Sequence, residues 1–380
     1  MTITLLRGGW VAAWDGSQHQ VLTGGEVAFE GDRILYVGPR FDGQADEGVD
    51  EPEWFSCPGF INLHGHVGVD PMAPFVDVPS GGQFAPGPDF VENAPLSMWP
   101  TLTPEEQQLS GEFSLVQMLR TGTTTVVDAH GYGAVWWLGN PPGDEAALAE
   151  TVGRVGSRAY LALGFRSARS YKDAQGCSCQ HWDVEMGKAG LREGVRFALE
   201  HRGRFNGRVQ TLLTPHAVEK FTPELLKLTL AEARAAELPI EIHVSQSLFE
   251  VQAVRERHED TPVGFLNSMG FLGPDIMLGH CVFVDDHPAV GGDSDRDLRL
   301  IADAGSSVAH APLAFARRDA EALHTLPRYL EYGINVGIGC DIWPGDIIDE
   351  MRLAWLMGKH ANRTVDRPTC RDVFYAATVG

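Results

Sequence analysis

The stretch Ser56 to Asp70, SCPGFINLHGHVGVD, sets how the rest of the chain is read. A short apolar run, Phe60 to Leu63, delivers two histidines, His64 and His66, with one residue between them. Side chains of a β-strand alternate faces, so two imidazoles two positions apart converge on one point. That is a chelate geometry for a metal ion. A single His-x-His is weak evidence, since lone histidines are usually satisfied surface or core residues, and what separates the readings is whether later strands bring further ligands to the same place.

Seven more short apolar runs follow: Thr123 to Asp128, Ala159 to Gly164, Val209 to Thr214, Ile240 to Val244, Ile276 to Gly279, Ser307 to His310 and Val336 to Gly339. Between them lie segments of helical period, including Glu105 to Arg120, Leu191 to His201, Pro223 to Glu237, Phe249 to Arg257, Asp295 to Ala304 and Ala320 to Tyr332. Runs that alternate in this way mark βα units. Eight of them predict an α/β fold, a (β/α)8 TIM-type barrel over residues 56–380, with functional residues at the carboxyl ends of the strands. Residues 1–55 read as short β-type runs, Ile3 to Arg7, Trp10 to Asp15, Val21 to Phe29 and Arg33 to Val37, broken by Gly-rich turns. They predict a small antiparallel unit, a β-sandwich ahead of the barrel.

Composition narrows the function classes. The 380 residues are 43% hydrophobic and 21% charged, which suits a folded soluble enzyme. A formal net charge of −21 argues against nucleic acid, whose phosphates need clustered Lys and Arg. No apolar run approaches membrane-spanning length, and the start, MTITLLRGGWVAAWDG, lacks signal-peptide character. The six cysteines are scattered without a disulfide spacing, so a cytoplasmic setting is expected. Cys177 and Cys179 stand in a polar loop and are not read as a site.

The barrel rule applies to each polar residue that ends an apolar run. His243 stands in IEIHVSQS at the end of the fifth run, His280 in LGHC at the end of the sixth, Asp341 ends GIGCD after the eighth and His216 ends the fourth in TPHAVEKFTPELL. One such coincidence carries little, whereas five along successive strands point to a metal-dependent site. His181, His201, His258, His287, His324 and His360 fall in helices or loops and read as surface residues.

These residues carry a resemblance. PGFINLHGH, TGTTTVVD (121–128), TPHAVEKFTPELL, IEIHVSQS, LGHC, SSVAHAPLA (306–314), INVGIGCD and DEMRLAWLMGKH (349–360) run through nearly the whole chain. In this order they resemble the amidohydrolase superfamily, in particular the branch of cytosine and guanine deaminases, triazine hydrolases and phenylurea or molinate hydrolases. The resemblance implies one divalent ion per subunit held by His64, His66, His243 and Asp341. Zinc is the leading expectation, with iron, cobalt or manganese as alternatives. Imidazole donors and an open position agree with a catalytic site that lowers the pKa of a water and makes hydroxide available. In the same scheme Asp341 takes the proton of that water, and His280 hydrogen-bonds the attacking oxygen or the oxyanion, with fifth ligand as its alternative. His216 contacts substrate.

Departures from the family pattern set the expected substrate. Deaminases of this branch carry Glu three residues after the strand-five histidine, and here that position is Gln246. An amide holds a substrate by hydrogen bonds but relays no proton at neutral pH. The leading expectation is therefore hydrolysis of a C–N bond in an amide, urea or carbamate, with deamination of a nitrogen heterocycle as the alternative. After the seventh strand, where the family often has Ser-Asn, the chain reads His310-Ala311-Pro312-Leu313-Ala314-Phe315. The long Pro- and Gly-rich stretch after His66 carries Phe75, Phe84 and Phe90, and Tyr132, Trp136 and Trp137 follow the second strand. These rings read either as a lid over a neutral, partly hydrophobic small molecule or as packing of a loop or subunit contact. Arg166 and Arg169, in GFRSARSY, read as substrate anchors or as ion-pair partners, and His130 as a substrate contact or a structural hydrogen-bonder. In the resembled family further strands follow the barrel and complete the amino-terminal sandwich. Here the sequence stops at Ala376-Ala377-Thr378-Val379-Gly380, so either the protein is shortened or this chain lacks its tail; those strands are expected to be missing and a homo-oligomer to cover the exposed edges. A non-catalytic scaffold is the reading from another class, and the four intact ligands oppose it.

Overall fold

The computed structural model describes residues 2–68, 104–129, 145–172, 178–291, 294–318, 325–341 and 345–380. The chain divides into two compact units, Met1–Gly59 and Phe60–Gly380.

In the first unit, β1 (Ile3–Trp14), β2 (His19–Thr23), β3 (Glu26–Glu30), β4 (Arg33–Gly38) and β5 (Glu47–Ser56) form one five-stranded sheet. β1 pairs antiparallel with β3 along its first half and with β2 along its second, and β3 continues to β4. β5 runs parallel to β1, which corrects the expectation of an antiparallel unit. The reason β5 escapes a sequence reading is physical. It pairs with β1 alone, nearly all its side chains are exposed, and EGVDEPEWFS therefore has no apolar alternation and tolerates Pro52.

The second unit is an α/β fold built on parallel strands. β6 (Phe60–Gly65), β7 (Thr123–Asp128) and β8 (Arg158–Leu161) lie in sequence order. The expected third strand is interrupted rather than lost, since β9 (Gly164–Phe165) resumes it. An antiparallel pair of β10 (Ala168–Lys172) and β11 (Ser178–Trp182) follows, in place of the polar loop expected around Cys179. β12 (Val209–Thr211) pairs with β8, and β13 (Thr214–Pro215) with β9. β14 (Ile240–Val244), β15 (Ile276–His280), β16 (Ser307–His310) and β17 (Val336–Ile338) form the second parallel sheet. Bridges between Leu213 and Ile240, and between Gly65 and Asp341, join the two sheets at both ends. The strands thereby close in the manner of a TIM barrel.

Helices cover the outside. The helix Pro223–Ala235 starts where Thr222 accepts a hydrogen bond from the Leu225 amide and proline occupies its first turn. Its Leu225, Leu226 and Leu230 pack in one buried cluster with Ile240, Ile242 and Val244 of β14. The alternate residues of that strand, Glu241 and His243, therefore face the inside of the ring. Deeper inside, Val127, Ala162 and Leu212 pack with Leu63 and Met277 and fill the floor. Two histidines expected at the surface are buried instead: His201 stacks on Phe197 with ring centroids 4.3 Å apart, and His287 packs beside Phe283. Both sit on the inner side of local structure, where an aromatic neighbour supplies the contact. Among the described residues no helix is long and apolar enough to cross a membrane.

Candidate metal centre

The ends of β6, β14, β15 and β17 bring four imidazoles and one carboxylate together. His64 is fully buried, and its ring centroid lies 5.2 Å from that of His66, 4.6 Å from that of His243 and 4.5 Å from that of His280. His66 Nε2 stands 3.0 Å from Asp341 Oδ1, and His64 Nε2 stands 3.9 Å from the same oxygen. Ligand atoms of His64, His66 and His243 lie within 4.8 Å of one another, as do those of His64, His280 and Asp341.

Backbone lacing fixes this arrangement. The amides of Cys340 and Asp341 both donate to the His64 carbonyl at 2.9 Å, and the His66 amide donates to the Asp341 carbonyl at 3.0 Å. That approach needs glycine at position 339, because a Cβ there would stand 2.6 Å from His64 Cβ. Asp341 and His280 sit in the left-handed region, at φ 56° and 73°. For side chains with a Cβ this conformation is strained and is held by its surroundings. At His280 it has a visible use. Ile276 and Leu278 face the helices, so strict alternation would send His280 outward, yet its ring packs against His64 inside.

Electrostatics follow from burial. Burial pushes His64 down to about 3, with the charge of His66 adding to the effect. Burial alone would push Asp341 up, but the hydrogen bond and charge of His66, with His280 and His64, outweigh it and hold the group well below the carboxylate range. Burial likewise opposes charge on His66, and the bond to Asp341 overcomes it and raises the group. The site is thus an anion ringed by imidazoles. His64 Nε2 is buried and makes no hydrogen bond among the described residues, which fits a nitrogen directed at a cation.

The other expected residues are placed as follows. His216 lies just past β13, its ring 4.2 Å from that of His243. Arg166 follows β9 and is buried. Phe165 pairs with Pro215, so Arg166 and His216 occupy matching positions on neighbouring strands. Gln246 is half-buried in the turn after β14. Glu250 shapes that turn by accepting from the amides of Ser245 at 2.6 Å and Gln246 at 2.8 Å. Phe315, in the apolar stretch after β16, packs on His280 at 5.0 Å between centroids. His130, Cys177, His324 and the aromatic residues Phe75, Phe84, Phe90, Tyr132, Trp136 and Trp137 lie outside the described residues, and so does the side chain of Arg169.

One residue of the site escapes sequence reasoning. Glu241 is wholly buried on β14, with Oε1 2.9 Å from His64 Nδ1 and Oε2 3.8 Å from His243 Nδ1. Burial pushes it up to about 8, with the charge of His66 opposing the shift and that of Asp341 adding to it. The signal is present in IEIHV: an acid two residues before a ligand histidine, on the same face of a strand whose other face is all Ile and Val.

The Amidohydrolase family profile matches residues 55–380, and the chain belongs to that family. The chain is accordingly a metal-dependent hydrolase acting on carbon–nitrogen bonds. It is 27% identical over 386 residues to a 5'-deoxyadenosine deaminase from Methanosarcina barkeri, covering 100% of this chain and 79% of that one. Among solved structures, an adenosine deaminase from Xanthomonas campestris with bound zinc matches with a TM-score of 0.77 at 19% identity, over 98% of this chain and 78% of that one. The zinc complex of an atrazine chlorohydrolase from Arthrobacter aurescens TC1 matches with a TM-score of 0.73 at 20% identity, over 98% of this chain and 81% of that one. At these identities the structural matches speak for the fold.

Proposed function

We propose that this chain is a mononuclear aminohydrolase that releases ammonia from an amino-substituted nitrogen heterocycle, with a nucleoside-like molecule as the substrate class. The observation that carries the metal-dependent part is the convergence of His64, His66, His243 and Asp341 around the buried Nε2 of His64, which makes no hydrogen bond among the described residues. Support for deamination comes from the deaminase of M. barkeri, which aligns along the entire chain. Weighed against that relative, the expectation of amide, urea or carbamate hydrolysis takes second place.

His64, His66, His243 and Asp341 would hold a divalent ion, zinc being the one in the two solved neighbours. When bound, such an ion supplies Lewis acidity and acidifies a water molecule. The remaining chemistry belongs to the protein. Asp341 Oδ1, already hydrogen-bonded to His66, takes the proton of the attacking water. His280, turned inward by its left-handed backbone, donates to the oxyanion that forms at the attacked carbon. His216 and Arg166, side by side on neighbouring strands, bind the substrate beyond the reacting carbon.

Gln246 is the specific observation that keeps the second reading alive. Its amide donates a hydrogen bond to a ring nitrogen but transfers no proton, so Asp341 and His280 must carry the proton to the leaving amine. Hydrolysis of a more electrophilic amide or urea asks less of them. A panel of adenosine-type nucleosides, aminated heterocycles, phenylureas and carbamates, with products identified, separates the readings. Ammonia release confined to the nucleosides and aminated heterocycles is expected, and cleavage of ureas or carbamates without it overturns the proposal in favour of the second reading.

A further inference from the structure

We infer that Glu241 is a positioning residue, its carboxylate holding His64 in the one tautomer and ring orientation that directs Nε2 at the metal. The inference rests on the reading of the site as a metal centre and adds to it a residue outside the ligand set. Three observations carry it. Glu241 Oε1 lies 2.9 Å from His64 Nδ1, a hydrogen-bond distance, while the opposite ring nitrogen of His64 is buried and makes no hydrogen bond among the described residues. An imidazole that donates from Nδ1 keeps its lone pair on Nε2, and a bound cation would favour the ionised, accepting form of Glu241, which raises the basicity of that nitrogen.

The surroundings are shaped for this contact. His243 pairs with Gly279 on β15, and a Cβ at position 279 would stand 2.3 Å from Glu241 Oε1 and 3.2 Å from His64 Cε1. Only a residue without a side chain leaves room for the carboxylate and the ring together. Glu241 is wholly buried, and its second oxygen, Oε2, has no hydrogen-bond partner among the described residues. A carboxyl group so placed is costly to bury unless it serves the cationic site above it. A residue needed only to fill space on β14 would more cheaply be apolar, as its neighbours Ile240 and Ile242 are.

The test measures zinc affinity rather than turnover. The wild-type chain and its Glu241→Gln, Glu241→Ala and Gly279→Ala variants are stripped with a chelator, and the zinc Kd is read by competition with a chromogenic chelator. The melting temperature of each metal-free protein is read by circular dichroism. Loss of the carboxylate is expected to raise the zinc Kd by about 10–100-fold, more for Ala than for Gln, which retains an acceptor oxygen. Gly279→Ala should weaken zinc although Glu241 is intact, because the new methyl displaces Oε1. The near-isosteric Glu241→Gln is expected to stay folded with a metal-free melting temperature close to that of wild type. A lowered melting temperature with an unchanged zinc Kd would mark a merely structural role and overturn the inference. A wild type that takes up no zinc would sink the metal-centre reading as well, whereas tight wild-type binding with unchanged variants sinks the role of Glu241 alone.

Discussion

β6 and β14 solve the same problem with different residues. Each strand presents two polar side chains, two positions apart, to the inside of the ring. At β6 both are imidazoles, His64 within the strand and His66 just past its end, and the lacing of their backbone to Cys340 and Asp341 fixes where they point. On β14 the pair is Glu241 and His243, one layer apart, and the carboxylate reaches across to His64 at 2.9 Å while standing 3.8 Å from the histidine of its own strand. The comparison teaches that a period of two places a ligand and the support for a different strand's ligand on one face. A strand can therefore contribute to the metal centre twice, once directly and once through its neighbour.

The largest effect is expected where both strands depend on a third. Asp341 takes a hydrogen bond from His66, just past β6, and sits beside the imidazole cluster that includes His243. Asp341→Asn keeps the shape and removes both a ligand charge and the proton acceptor. A fall of at least about 10²–10⁴ in kcat is expected, since the general-base contribution alone is of that size and the ligand is lost with it. Steady-state kinetics check it, and a loss confined to KM would break the assignment.

A smaller effect separates the two strands directly. If Glu241 acts through His64, removing both should cost little more zinc affinity than removing His64 alone, whereas removing Glu241 and His66 together should cost the sum. Double-mutant cycles with His64→Gln, His66→Gln and Glu241→Gln measure this. Additive losses for Glu241 and His64 would show that β14 does not support β6. The smallest expected effect lies beyond β14. Gln246→Glu introduces an acid in the turn that Glu250 holds, and recovery of part of a general-acid contribution should raise ammonia release about tenfold. A variant that leaves ammonia release unchanged while urea cleavage persists would favour the second reading.

The sequence shows these two strands unequally, for a physical reason. His64, His66, His243, His280 and Asp341 each end an apolar run, and a barrel collects strand ends, so their convergence is legible without coordinates. Glu241 lies within the run, where an acid looks like one step of an ordinary in-and-out alternation. Its meaning depends on a contact 177 positions away in the chain, with His64. The inward turn of His280 is hidden in the same way, because it depends on a left-handed backbone at a non-glycine residue. In the first unit β5 is invisible because an edge strand carries no apolar period, and the antiparallel pair β10–β11 is hidden because it is a two-stranded ribbon in a polar stretch. Strand ends and buried periods are legible; edges and cross-strand contacts wait for the fold.

The central claim is that three imidazoles and one carboxylate from β6, β14 and the end of β17 form one metal centre. Elemental analysis of the purified chain, beside His243→Asn and Asp341→Asn, tests it most directly. The account predicts one divalent ion per wild-type chain, with the ion lost from both folded variants. A wild type without stoichiometric metal, or variants that retain it in full, would contradict it.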